Sequence, residues 1–184
     1  MTARARRVLR TLLLLAAIQG AAVLLYWSRE RDRQEPVLAG TFVVQAEPAR
    51  PAPAIELETH DKRRRQLSDL RGRAVALHFW ATWCAPCARE LPELLKLGDE
   101  LENDGVVVLA VSLDDGWANV ETFFGGHVPA SIVRGVAGDA ARKYGVGVLP
   151  ETVLIRPNGE LAYRAKGARA WNAPAARKAL VELR

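Results

Sequence analysis

Residues 74–87, AVALHFWATWCAPC, decide the fold, and they contain both cysteines of the chain, Cys84 and Cys87. Residues 74–80 are apolar except for one histidine and have the length of a strand, and good helix formers follow the cysteines. This pattern predicts a buried strand that delivers Cys84 to the start of a helix. Cys87 then lies about one helical turn later.

A thiol at a helix N-terminus is unusually acidic, because unpaired backbone N–H groups and the positive end of the helix dipole favour the thiolate. Such a site can lower the pKa of a cysteine from about 8.5 to between about 3.5 and 7.5. We therefore predict that Cys84 is the nucleophile. Cys87 can attack a mixed disulfide on Cys84, release the substrate as a thiol and close an intramolecular disulfide.

Two structural interpretations of the cysteine pair are less favoured. A zinc site needs four ligands, and the three histidines, His60, His78 and His127, lack the spacing of a zinc motif. A purely structural disulfide would close a very short loop and constrain the unfolded chain little. The order of strand, CxxC and helix favours a redox pair.

Residues 79–87, FWATWCAPC, resemble the active-site segment of thioredoxin-fold thiol-disulfide oxidoreductases, in particular the membrane-tethered TlpA/ResA-like branch, which includes the thioredoxins of cytochrome c maturation. Pro92 lies where thioredoxins kink their first long helix. Residues 144–152, YGVGVLPET, are similar to the cis-proline loop of that family. The resemblance runs from about Ile55 to the C-terminus. It implies an α/β thioredoxin-like sandwich, with a central mixed sheet flanked by helices and an N-terminal β-hairpin.

The order of predicted elements suits this fold, because strands alternate with helices in the middle of the chain and a hairpin follows. Strands are predicted at residues 55–58, 64–67, 106–111, 131–133, 152–155 and 160–165, and helices at 88–101, 117–124, 139–144 and 173–183.

The resemblance also implies supporting and substrate-binding residues. A cis Leu149–Pro150 bond would lie against Cys84, leave the Leu149 backbone free to bond an extended substrate, and keep the loop from offering a metal ligand. Trp83 should be partly exposed and shape the docking surface, with Trp80 packed beneath it. Pro86, between the cysteines, supports the same site.

Two titratable residues, His78 and Glu151, have alternative roles. His78 aligns with the buried acid of thioredoxins and is either a proton relay for Cys87 or a core histidine bonded to the backbone. As a relay, its replacement in His78→Ala should slow resolution of the mixed disulfide and spare attack by Cys84. Glu151 either tunes substrate choice or the pKa of Cys87, or is a solvated carboxylate at a strand end. Glu90 is predicted to be exposed.

The N-terminus is predicted to be a signal anchor over residues 1–28, since an apolar run of about 20 residues follows four arginines. A cleaved signal peptide is the alternative, but no clean small-x-small site follows the run. Residues 29–53 are predicted to be a Pro/Ala-rich linker, within which residues 41–44 either pack on the domain or form an edge strand. The thioredoxin-like domain is assigned to residues 54–184.

Charge argues against nucleic-acid binding. The net charge is +5. Residues 1–35 carry seven arginines and three acidic residues, or +4, which leaves +1 for the rest. The folded domain therefore lacks the net basic charge that nucleic-acid binding favours. Residues 62–65, KRRR, are better explained as a solvated turn than as a patch for an acidic partner or a lipid surface.

The resemblance implies an enzyme whose only redox group is the Cys84–Cys87 disulfide, with no further cofactor and no metal. It would be a single-pass protein of a bacterial inner membrane with its domain facing the periplasm or cell exterior. It would keep selected protein thiols reduced, for example the haem-binding cysteines of apocytochrome c, by reducing their disulfides with electrons from a membrane thiol transporter. An oxidant role stays open, because the reduction potential sets the direction. The alternative class is a copper or haem-delivery module that uses the two thiolates; a peroxiredoxin is disfavoured because its cysteine setting differs from this motif.

Overall fold

The computed structural model describes residues 17, 19–23, 37–39, 42–136 and 138–184. The chain divides into two units, residues 1–35 and Pro36–Arg184. In the first unit the described residues, 17 and 19–23, are helical and exposed. The rest of the predicted anchor, residues 1–28, lies outside the described residues. Within the described part of the chain, no helix is both long and apolar enough to cross a bilayer.

The described strands of the second unit form one mixed sheet. They are β1 (Val37–Ala39), β2 (Phe42–Ala46), β3 (Glu56–Thr59), β4 (Arg64–Gln66), β5 (Ala74–Trp80), β6 (Val106–Ser112), β7 (Ile132–Gly135), β8 (Glu151–Ile155) and β9 (Leu161–Lys166). Their order across the sheet is β1-β2-β9-β8-β5-β6-β7-β3-β4. The central strand, β5, pairs parallel with β6 and antiparallel with β8. All seven residues of β5 are buried, which explains its nearly unbroken apolar sequence.

Helices cover the sheet. In the described part of this unit they are α1 (Ala85–Leu101), α2 (Trp117–Phe123), α3 (Ala140–Lys143) and α4 (Pro174–Val181), with short 3-10 turns at Leu67–Leu70 and Glu102–Asp104. The α1 helix continues through Pro92. The predicted elements are confirmed to within a few residues at their ends, as is the predicted architecture of a mixed sheet with flanking helices.

Successive side chains of β5 enter two different cores. Ala74 and Ala76 pack in a core with residues of α1 and α4. Val75 and Leu77 pack in a second core on the other face of the sheet. His78 has the parity of Ala74 and Ala76, so the strand places its side chain beneath α1.

The N-terminal hairpin is confirmed as β3 and β4, which pair antiparallel. Its turn and second strand carry the basic residues 62–65. Glu58 on β3 forms ion pairs with two of them, Lys62 at 3.6 Å and Arg64 at 3.7 Å. The side chains of Lys62 and Arg64 are largely exposed, in agreement with a solvated turn.

The assignment of residues 29–53 to a linker is wrong for residues 42–46, which form β2 and pair with β9. Phe42 and Val44 are buried in the core beneath α4. The two alternatives for the run of residues 41–44 therefore both apply to residues 42–44, which pack on the domain and form a strand. The physical reason is that Phe42 also meets the ring of Trp171 at a centroid distance of 4.9 Å, and such apolar contacts outweigh the flexibility of a Pro/Ala-rich sequence. The strand is not at the edge of the sheet, because β1 pairs with its other side. The folded unit begins well before residue 54.

Candidate active site

The cysteine pair lies where β5 ends and α1 begins. Cys84 is the N-cap residue of α1, and its Sγ accepts a hydrogen bond from the backbone N–H of Cys87 at 3.3 Å. The two cysteines are joined in a disulfide, with their Cα atoms 5.2 Å apart. The predicted pairing is therefore present. The same N–H that contacts sulfur here would stabilise a thiolate on Cys84 after reduction.

Accessibility differs between the two cysteines and between the tryptophans around them. Cys84 retains 6% of its surface and Cys87 none. Trp83, directly before Cys84, is 70% exposed, whereas Trp80 is fully buried under the site. The predicted division between an exposed and a buried tryptophan is confirmed. An approaching substrate thus meets Cys84 beside an exposed aromatic ring, while Cys87 is closed to solvent.

A buried carboxylate anchors the turn that precedes Cys84. Asp114 accepts hydrogen bonds from the Thr82 N–H at 3.0 Å, the Thr82 hydroxyl at 2.6 Å and the Ser112 hydroxyl at 2.8 Å. Sequence analysis missed Asp114. The available signal was its position two residues beyond β6, the strand that neighbours β5, so that the ends of the two strands meet at one sheet edge.

The loop between α3 and β8 faces the cysteines. The Leu149–Pro150 bond is cis, as predicted. Leu149 packs against the apolar cluster that contains both cysteines and Trp80. Within the described residues, neither the N–H nor the C=O of Leu149 has a hydrogen-bond partner. Its backbone is thus free for an extended segment of another protein, and the neighbouring Val148 is exposed.

Glu151 is fully buried, so the alternative of a solvated carboxylate is wrong. Its Oε1 accepts a hydrogen bond from the Arg164 guanidinium, and its Oε2 accepts from the Gly147 N–H at 3.3 Å. The side chain is therefore occupied within the protein and does not face a substrate. Sequence analysis missed Arg164, although its position in β9 has the same parity as the buried Ala162.

Glu90 is buried, and the prediction that it is exposed is wrong. It lies three residues after Cys87 on the inner face of α1, where the 169–171 segment covers it; its Oε2 accepts from the Arg169 N–H at 2.5 Å. Burial raises the pKa of the Glu90 carboxyl above its usual range. A carboxyl group that holds its proton more tightly than usual lies one turn from the buried cysteine.

His78 is completely buried beneath α1. Its Nδ1 lies 2.8 Å from the Thr152 hydroxyl, and its Nε2 lies 3.7 Å from Glu90 Oε1 without a hydrogen-bond partner in the described residues. Desolvation lowers the pKa of the imidazole from 6.5 to about 3, so it is neutral at neutral pH. Its bonded partner is a side-chain hydroxyl rather than the backbone. The ring of Trp171 packs edge-on against the imidazole, at a centroid distance of 6.4 Å.

Among the described residues, no group of three or more histidine, cysteine or acidic side chains is placed to hold a metal ion. The polar groups beneath α1 form a pair, Glu90 and His78, rather than a coordination set.

Comparison with known proteins finds related sequences. Residues 48–164 match the model of the AhpC/TSA family. The thiol-disulfide oxidoreductase ResA of Geobacillus thermodenitrificans is 34% identical over 159 residues, which are 85% of this chain and 84% of that protein. The ResA of Oceanobacillus iheyensis is 39% identical over 104 residues, which are 56% of this chain and 54% of that protein.

A solved structure extends the agreement to three dimensions. The crystal structure of a Chlorobium tepidum protein assigned as the thiol:disulfide interchange protein DsbE superposes with a TM-score of 0.62 and 31% sequence identity. The match covers 74% of this chain and 94% of that chain. The thioredoxin-like fold is therefore shown both by sequence and by structure.

Proposed function

Because this chain belongs to the AhpC/TSA family as a thiol-disulfide oxidoreductase of the ResA type, we propose that it acts outside the cytoplasm as a reductant of protein disulfides. The observation that carries the proposal is the position of Cys84, which is an N-cap sulfur with an N–H donor, beside an exposed tryptophan and bonded to a buried partner. Apocytochrome c is the substrate we favour, as a cysteine-containing protein in the same compartment.

The reaction begins with the reduced pair. The Cys84 thiolate attacks one sulfur of the substrate disulfide, the substrate S–S bond breaks, and one substrate thiolate leaves and takes up a proton. Cys87 then loses its proton and attacks the Cys84 sulfur, which releases the second substrate thiol and forms the Cys84–Cys87 disulfide. Two electrons have passed from the enzyme to the substrate. A membrane thiol transporter would return them by the same exchange in reverse.

The second step requires a proton acceptor for Cys87, and we propose Glu90 in this role. Glu90 lies one turn after Cys87 on the same buried helix face, and burial raises the pKa of its carboxyl. A base works best when its pKa is near the working pH, and the imidazole of His78, with a pKa of about 3, binds a proton weakly. His78 would then act through Glu90, which its Nε2 approaches to 3.7 Å.

We expect Glu90→Gln to slow resolution of the mixed disulfide about 100-fold, the usual size of a lost acid–base contribution, and to leave the attack by Cys84 unchanged. Rapid mixing of the reduced variant with a disulfide substrate, with acid quenching and mass measurement of the adduct, separates the two steps. Glu100→Gln, at an exposed position of the same helix, is the matched control. Equal resolution rates in wild type and Glu90→Gln would exclude the role of Glu90.

His78 should make the fold sensitive to acid. Below pH 6.5 the unfolded chain gains a proton on this imidazole, whereas the folded chain gains it only near pH 3. The native state should therefore lose up to about 3 kcal/mol between pH 6.5 and pH 4 through this group alone. Between these two pH values, the free energy of unfolding of His78→Asn should fall by about 3 kcal/mol less than that of wild type. Urea unfolding at each pH measures both losses.

The comparison between variants isolates the histidine. Protonation of Glu90, whose pKa burial raises, stabilises the fold as pH falls, but it contributes to both proteins and largely cancels in the difference. His127→Asn removes an exposed histidine and should follow wild type. Identical acid sensitivity of wild type and His78→Asn would show that His78 does not titrate as its burial requires.

The direction of electron flow is tested by the reduction potential of the Cys84–Cys87 couple. Equilibration with dithiothreitol buffers, read by alkylation of free thiols, should give a value close to that of cytosolic thioredoxins, about −270 mV. A value near −120 mV, typical of strong protein oxidants, would reverse the assignment from reductant to oxidant.

The location rests on the N-terminal sequence, where an apolar run of about 20 residues follows four arginines. We propose that it anchors the protein in the bacterial inner membrane with the second unit facing outward. A fusion of the full chain to a phosphatase that folds only outside the cytoplasm should be active and should remain with the membrane after carbonate washing. An inactive fusion would place the domain in the cytoplasm, and release by carbonate would indicate cleavage.

A further inference from the structure

Three charged side chains in contact, Glu47, Arg164 and Glu151, lie behind the loop that faces the cysteines, and together they are called the charged chain. Arg164 on β9 is nearly inaccessible, and its guanidinium lies between two carboxylates. Its Nε donates to Glu47 Oε1 at 2.5 Å, and its Nη1 donates to Glu151 Oε1. Its remaining nitrogen, Nη2, donates to the Tyr144 carbonyl at 3.0 Å. One side chain thus connects Glu47, which directly follows β2, with the start of β8 and the end of α3.

Two hydrogen bonds, one to Arg164 and one to Glu151, hold the loop of residues 144–150 at separate points. Arg164 binds the carbonyl of Tyr144 where the loop begins, and Glu151 binds the N–H of Gly147 in its middle. Between Gly147 and Leu149, this bond to Glu151 is the only hydrogen bond among the described residues. The position of the free Leu149 backbone therefore depends on where the Glu151 carboxylate is held.

Fold stability alone does not require this arrangement. Burying ions costs desolvation free energy, and apolar residues of similar volume often replace a buried ion pair without loss of stability. What apolar residues cannot do is bond the Gly147 N–H and the Tyr144 carbonyl at the same time. The charged chain supplies directional contacts to a loop that has little regular structure of its own.

Glu47 connects the charged chain to the segment around β2. It directly follows β2, and its own N–H donates to the Ala162 carbonyl at 2.8 Å, which fixes the residue beside β9. Its carboxylate orients the guanidinium from the side opposite Glu151. Residues that the sequence assigned to a linker thus support the far side of the active site.

We propose that Arg164, held by Glu47 and Glu151, is a positioning residue that sets the Leu149 backbone for protein substrates without contributing to the sulfur chemistry. The proposal rests on the proposed function, since it concerns how that site selects its substrate. A small disulfide needs only the Cys84 thiolate, whereas a protein disulfide also needs the loop. The charged chain therefore determines the preference for protein over small-molecule disulfides.

Two reactions of the pre-reduced protein test this, namely reduction of insulin and reduction of 4,4′-dithiodipyridine, each followed as a second-order rate constant. Arg164→Lys keeps the charge but cannot bridge all three acceptors. It should lower the insulin rate about ten-fold, the effect of one lost charge-assisted hydrogen bond, and leave the dithiodipyridine rate unchanged. Glu47→Gln should show the same pattern to a smaller extent. Arg177→Lys, in an exposed pair with Glu100, should change neither rate.

A folding defect has to be excluded separately, because an unfolded reduced chain exposes both thiols and still reacts with a small disulfide. Both rates are therefore compared at a temperature at which circular dichroism shows that every variant is fully folded. The double variant Glu151→Gln/Arg164→Met leaves neither residue buried with an unpaired charge, and its rate ratio should still fall. Hydrogen exchange at the Gly147 amide should be faster in Arg164→Lys and in the double variant than in wild type. An unchanged ratio in Arg164→Lys, or an equal loss of both rates, would overturn the proposal. Failure of wild type to react with either disulfide would instead overturn the proposed function.

Discussion

Cys84→Ser is expected to have no measurable disulfide-reductase activity, a loss of at least about 1,000-fold, because serine cannot provide a thiolate at neutral pH. Cys87→Ser should also fail to turn over, but for a different reason. Its Cys84 can still attack, so a stoichiometric mixed disulfide with the substrate should accumulate. Insulin reduction with dithiothreitol as electron source measures turnover. The adduct is detected by mass spectrometry after acid quenching of pre-reduced protein mixed with insulin in the absence of dithiothreitol, which would cleave it.

The asymmetry between these variants is the informative part of the result. It follows from the accessible Cys84 and the enclosed Cys87, and from the N–H that contacts only the first sulfur. Both variants should remain folded, since the lost disulfide closes a loop of only a few residues and stabilises little. An adduct on Cys87 in the Cys84→Ser protein would reverse the assigned roles.

Asp114→Ala is expected to destabilise the protein by about 4 kcal/mol. Removal of the carboxylate leaves the Thr82 N–H, the Thr82 hydroxyl and the Ser112 hydroxyl without their acceptor, and each unsatisfied group costs about 1–3 kcal/mol when buried. Urea unfolding of the oxidised proteins measures the loss. Asp115→Ala, at the adjacent exposed aspartate, is the matched control and should change the free energy of unfolding by less than about 0.5 kcal/mol.

The same variant should affect the reaction, because Thr82 belongs to the turn that ends at Cys84. When this turn is less firmly held, Cys84 is less often in the position from which it attacks a substrate. We expect slower attack even at low temperature, where the variant is fully folded. Equal stability of Asp114→Ala and Asp115→Ala would show that the three contacts do not hold the turn.

Local patterns predicted most of the fold. The apolar run of β5 and the cysteines at the start of α1 both depend on neighbours within a few residues, so the sequence alone was sufficient. The loop of residues 144–152 was found by its resemblance to a family segment, and the cis bond at Leu149–Pro150 followed from that. The hairpin of β3 and β4 was predicted from alternation and a polar turn.

The errors share a cause. Glu90 was predicted to be exposed, but the segment around Arg169, far along the chain, covers it. Glu151 had a solvated alternative, but Arg164 encloses its carboxylate. Residues 42–46 lie within the Pro/Ala-rich stretch assigned to a linker, yet β9 provides them with a strand to pair with. In each case a contact between distant segments reversed what composition indicated.

The sequence by itself determined the positions of the reactive groups, namely a sulfur at a helix start with a second sulfur one turn away. It did so because thiolate stabilisation and disulfide closure act over a few bonds and one turn of helix. Only the tertiary structure decided which charged groups surround that pair. Whether a carboxylate such as Glu90 or Glu151 is hydrated or enclosed depends on segments far away in the chain. For Glu90, that enclosure is what raises the pKa of the carboxyl.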